Sequence, residues 1–139
     1  MKDIEGKLTY KGQQYGLVFN FNTMEVIQDR YGTIEKWADL SDGNGSEPNA
    51  KAVIFGITAM INEWIAIQNE DENANIQPLT TRKVGRMISE IGFENAVGMM
   101  NDTVIKSTES AEKTAKLPMM IRSRNLSTLR GIISSAETS

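Results

Sequence analysis

The chain has 139 residues and a formal net charge of −3, a size that fits one domain rather than two cores. His and Cys are both absent, which removes imidazole bases, thiolate nucleophiles, disulfides and nearly every zinc, haem or iron–sulfur ligand set at once. Most enzyme classes thereby lose their usual tools, and an acidic total with scattered Lys and Arg speaks against a protein that tracks nucleic-acid phosphates.

Leu, Ile, Val and Phe make up about 23% of the residues, just above the level at which chains stay disordered, so a modest core is expected. No apolar run approaches ~18 residues and no signal-like segment opens the chain, so a soluble protein of the cytoplasm without a membrane span is expected.

Lys7 to Phe21 reads KLTYKGQQYGLVFNF, two β-prone runs around a Lys-Gly-Gln-Gln turn signal. Tyr15, Leu17, Phe19 and Phe21 alternate with Gly16, Val18 and Asn20, a period of two that predicts a β-hairpin with one apolar face. A lone hairpin is marginal in water, so this face must lie on helices. Asn22 or Thr23 caps a first helix with Met24, Ile27 and Tyr31 on one side, and Gly32 ends it. Thr33 caps a second, short helix in which Ile34, Trp37 and Leu40 recur at every third position.

Residues 41–49 form a loop by composition. The longest periodic segment follows over residues 50–69, where Val53, Ile57, Met60, Ile61, Trp64, Ile65 and Ile67 define a wide apolar stripe. This predicts the central helix. Residues 70–78 are acidic and amide-rich, which marks a second exposed loop. Thr80 or Thr81 caps a helix with Val84, Met87, Ile88 and Ile91 on one face, closed by Gly92, and Phe93, Val97, Met100 and Val104 continue into a further helix extending toward Lys116. Past Pro118 the pattern weakens. The expected architecture is α+β and mainly helical: an N-terminal β-hairpin packed on four to five helices within residues 1–116, with 117–139 a weakly ordered extension.

No motif for chemistry survives inspection. Asp42, Asn44 and Ser46, and again Asp71, Asn73 and Asn75, share the opening spacing of a calcium loop, but Glu47 or Ile76 stands where its glycine belongs and Val53 or Arg82 where its final acid belongs. Glu70, Asp71 and Glu72 read as a solvated charged loop. Gly-rich phosphate loops are missing, and without His a Ser or Thr hydroxyl lacks its usual base, so no catalytic, cofactor-binding or metal-binding residue is expected. Gly56, Gly85 and Gly98 lie inside predicted helices, where each is expected to mark a close approach of backbones. Residues 80–100 have the outline of a helix-turn-helix unit, yet Arg82, Lys83 and Arg86 lie in its first helix and Glu94 opens the second, the wrong placement for a recognition helix.

Surface that binds without reacting is what remains. Met60 and Met87 read as core. Met99–Met100 and Met119–Met120 are adjacent pairs, and one helical face cannot bury both members of a pair equally. Met99, Met100, Met119, Met120 and Ile121 are therefore candidate partner-binding residues. Leu126, Leu129 and Ile133, scattered through the tail with three Arg, join them as a segment suited to folding on a partner. The wide stripe of residues 53–67 also makes self-association an expectation.

The order of elements resembles the tail assembly chaperones of long-tailed bacteriophages and related prophages. The resemblance is carried by YGLVFNFNTMEVIQDRYG (Tyr15 to Gly32), AVIFGITAMINEW (Ala52 to Trp64) and LTTRKVGRMISEIGFENAVGMM (Leu79 to Met100), which together span roughly residues 7–106. It implies a protein of the bacterial host cytoplasm that binds the hydrophobic tape-measure protein, keeps it soluble and promotes polymerisation of the tail-tube protein around it. Many members gain a C-terminal extension by ribosomal frameshifting. Two alternatives stand beside it: a structural tail component such as a connector or tube protein, and a small DNA-binding regulator using residues 80–106.

Overall fold

The computed structural model describes residues 6–42 and 47–114, with side chains described as far as 108. Its elements in order are β1 (Gly6–Tyr10), β2 (Gln13–Leu17), α1 (Phe21–Tyr31), α2 (Ile34–Ser41), α3 (Ala50–Asp71), α4 (Thr81–Ile91) and α5 (Phe93–Thr114). The fold is α+β and mainly helical, with a two-stranded antiparallel hairpin and five helices among the described residues.

The hairpin turns in two residues, not four. Lys11 and Gly12 both take positive φ, 49° and 80°, the backbone whose twist matches a hairpin and which Gly adopts without steric cost. Gln13 and Gln14 thus belong to β2, paired with Tyr10 and Thr9. The register sets Leu8 opposite Tyr15, both buried. Burial continues past the strand to Phe19, but Phe21 is 64% exposed, a departure from the expected alternation. Its cause is the cap of α1, which is Asn20 and not Asn22 or Thr23 as expected. The Asn20 side chain accepts from the Thr23 backbone N–H at 3.1 Å, so Phe21 already begins the helix. Thr23 donates its hydroxyl to the Val18 carbonyl at 2.8 Å and is buried within the first turn.

The short helix α2 is capped by Thr33 as expected, but its inner face is Ile34, Trp37, Ala38 and Ser41. Leu40 is 42% exposed. The i, i+3, i+4, i+7 pattern, not a strict triplet, follows the 3.6-residue turn.

Helix α3 is the centre of the molecule. Ala52, Val53, Gly56, Ile57, Met60, Ile61 and Ile65 form its buried stripe, and β2, α1, α2, α4 and α5 all pack on it. Contrary to the sequence expectation, it is long and apolar enough by composition to cross a membrane. Packing against five neighbours accounts for that apolarity in a core helix. The Val18 N–H donates to the Met60 carbonyl at 3.2 Å, tying the strand exit to mid-helix. Gly92 alone, at φ 100°, joins α4 to α5. Helix α5 turns Ala96, Met100, Thr103 and Thr108 inward, and Ser107 donates to the Phe19 carbonyl at 2.7 Å.

The three intrahelical glycines differ. A Cβ on Gly56 would stand 2.5 Å from Trp37 Cζ2, so the expected close approach holds there, although against a ring and not a backbone. At Gly85 the nearest atom is Ile54 Cδ1 at 3.7 Å, and at Gly98 nothing lies within 4 Å. Neither is a tight contact, which corrects the expectation for both.

Candidate partner-binding face

Met100 is 0% exposed and belongs to the core, which removes it from the candidate surface. Met99, its neighbour, is half-buried and packs on the core's edge. The pair divides as helical geometry requires, one member in and one at the margin. Met119, Met120, Ile121, Leu126, Leu129 and Ile133 lie outside the described residues.

The most exposed large apolar side chains, Phe21, Val26 and Leu40, lie on α1 and α2, while the flank of α3 holds partly buried apolar groups in two concavities. Lys51, Ile54, Phe55, Thr58, Ala59, Asn62 and Glu63 recur at i, i+3 and i+4 and line two concavities. One, of about 320 Å³, runs between α1 and α3, where Asn22, Thr23 and Val26 form the α1 wall. The other, of about 590 Å³, lies between α3 and α4, with Thr81, Arg82, Gly85, Arg86 and Ser89 on the α4 side and Arg30 at the end of α1. Phe55 lines both. This flank of α3, where Thr58 is buried and Ile54 and Phe55 are partly buried against the core, is thus the floor of a trough walled by α1 and α4.

Phe55 is held in place from two sides. Its ring meets Tyr31 edge-on with centroids 5.6 Å apart, and the Arg30 guanidinium sits 5.2 Å above it. Such contacts fix an aromatic ring without burying it fully. Val26, 46% exposed, adds a second apolar group to the α1 wall.

Charge divides the trough. At one end Glu63 accepts from the side-chain amides of Asn20 and Asn22 at 2.9 and 3.1 Å, which satisfies the carboxylate locally. At the other end Arg30, Lys51, Arg82 and Arg86 surround the larger concavity, and no Asp or Glu is among the residues lining it. Four cations gather around Ile54 and Phe55 in a chain whose net charge is −3. Sequence reading weighed Arg82 and Arg86 only against DNA, and Lys51 and Arg30 come from distant segments. Phe55 carried a usable signal: it is an aromatic residue lying off the apolar stripe of its own helix.

What this arrangement can do is bind. An apolar floor excludes water from a partner's apolar ridge, and the cationic rim favours a partner that brings anions. Among the described residues no group of three or more Asp and Glu is placed to hold a metal ion. No protein-family model, no curated protein and no solved structure matches the chain.

Proposed function

We propose that the protein is a tail assembly chaperone of a long-tailed phage or prophage, acting in the bacterial host cytoplasm. It holds the tape-measure protein soluble and delivers it to the polymerising tail-tube protein through apolar contacts, without catalysis. The order of hairpin and helices supports the reading, and the observation that carries it is the trough on α3, whose Ile54, Phe55, Ala59 and Val26 have no helix over them among the described residues. A long helical client fits such a trough by laying its apolar face between α1 and α4. Each Leu or Ile buried there contributes roughly 1.5–3 kcal/mol, so a few contacts suffice for holding.

Coexpression with the tape-measure protein tests the proposal. The client is expected to shift from the insoluble to the soluble fraction and to co-purify; an insoluble client with no retained complex would overturn the reading. Met119→Asp combined with Met120→Asp is expected to weaken that retention while sparing folding. Mass spectrometry of purified virions separates the structural-component alternative, because a connector or tube protein stays in the particle and a chaperone is lost.

A further inference from the structure

We infer that the concavity between α3 and α4 seats an amphipathic helix whose apolar ridge is flanked by carboxylates, the segment by which the client is recognised. The inference rests on the chaperone reading only for which protein carries that helix. Charge complementarity selects this occupant. Arg82 and Arg86 are four residues apart on α4 and line the groove together with Gly85 between them, so they present cations one helical turn apart along one wall. Arg30 at the end of α1 and Lys51 at the start of α3 stand around the same space. A helix lying along this groove meets cations beside it, and Glu residues spaced at i and i+4 along its flank match the spacing of Arg82 and Arg86.

The floor decides between a protein and a nucleic acid. Ile54 and Phe55 form an apolar base, and Gly85 leaves the α4 wall bare beside it, a surface that rewards burial of Leu or Ile. Duplex binders draw their affinity from many phosphate contacts, roughly 6–10 in typical cases, and four cations around one concavity fall short of that. Gly85 itself gains a function here: a Cβ would fit, with its nearest neighbour at 3.7 Å, so the position keeps the groove open instead of relieving a clash.

The test uses the purified full-length chain and fluorescence anisotropy with two synthetic helices of about 18 residues, a length that forms helix in isolation. Both carry the same Leu ridge, one flanked by Glu and the other by Lys. The Glu helix is expected to bind at least about tenfold more tightly, and the preference is expected to shrink as salt rises from about 50 to 300 mM. Arg82→Glu with Arg86→Glu should weaken the Glu helix about tenfold or more and improve the Lys helix. Both side chains are exposed, and at position 82, in the first turn of α4, a carboxylate also suits the helix dipole, so the double variant is expected to fold. Gly85→Leu, which changes no charge and fills the groove, should weaken both helices.

Equal binding of the two helices, or an unchanged affinity in the double variant, would overturn the inference, as would displacement of the Glu helix by a stoichiometric DNA or RNA oligonucleotide. Coexpressed tape-measure protein separates the two levels. If it is retained equally by wild type and double variant, the groove inference fails and the chaperone reading stands. If the Glu helix is preferred but the tape-measure protein is not retained, the reverse holds.

Discussion

Trp37 and Gly56 fit each other so closely that the ring leaves no room for a methyl group at position 56. The indole N–H donates to the Ala52 carbonyl at 2.9 Å, and the ring stacks on Phe19 with centroids 6.5 Å apart. A Cβ at position 56 would stand 2.5 Å from that ring, and the ring is anchored on two sides. Gly56→Ala is therefore expected to destabilise the protein by about 1–3 kcal/mol, the range for overpacking a filled core, despite the better helix propensity of Ala. Gly98→Ala meets nothing within 4 Å and should stabilise by about 0.5–1 kcal/mol. Urea denaturation of both variants checks the pair of signs. In the sequence the two glycines are equivalent, each a lone Gly in a helical pattern. Only the neighbour brought from α2 separates them, and no local spacing encodes it.

The same limit decides the two members of Met99–Met100. Met100→Asp places an uncompensated carboxylate in the core and should cost several kcal/mol or prevent folding. Met99→Asp, at the core's edge, should fold with a smaller loss. A thermal melt of the two variants checks the assignment that the described packing gives.

At the scale of elements, the stretch between α3 and α4 is held by two asparagines of α3. Asn69 accepts from the Ile76 N–H and donates to its carbonyl, both at 3.0 Å. Asn62 does the same with Leu79, at 3.0 and 2.8 Å. Each amide replaces a β-ladder partner for one residue of an otherwise unpaired backbone. Asn62→Ala and Asn69→Ala are each expected to cost about 1–2 kcal/mol. Hydrogen exchange gives the sharper reading, since Asn69→Ala should speed exchange at the Ile76 amide and Asn62→Ala at the Leu79 amide. A uniform rise over the whole chain in either variant would assign the effect to global stability instead. Composition identified this stretch as a loop, and its acids are exposed, because Asn, Asp, Glu and Pro act locally. The clamps reach across 7 and 17 residues and were invisible for that reason. Cap and face errors have similar causes. Asn20 outcompeted Asn22 and Thr23 because Thr23 hydrogen-bonds back to Val18, and Leu40 faces solvent because Ala38 and Ser41 share the inner side with Trp37.

At the scale of the molecule, hydrophobic periodicity located the hairpin and the five helices of the described residues, since burial of α3 on one side dictates which faces of its neighbours must be apolar. The trough was not legible in the same way. Its cations come from α1, α3 and α4, and their convergence depends on how those helices pack around one another. Four exposed cations without a lining carboxylate give the groove a positive local field, and an anionic partner gains there an attraction that the free protein lacks. That difference between free and bound states has a thermodynamic signature. A ligand at about 100 times its Kd stabilises the folded state by about 2.7 kcal/mol when it does not bind the unfolded chain. For a domain of this size, this corresponds to a rise in Tm of roughly 5–15 °C. Titrating the Glu-flanked helix into wild-type protein should therefore raise Tm with concentration, most steeply at low salt. With Arg82→Glu and Arg86→Glu the rise should fall to about half or less, the share that a tenfold weaker Kd leaves, while the melting temperature without peptide stays close to wild type because both side chains are exposed. A variant that melts early without peptide would instead mean that Arg82 and Arg86 hold the fold together, and the cationic groove would then be a structural feature and not a docking surface.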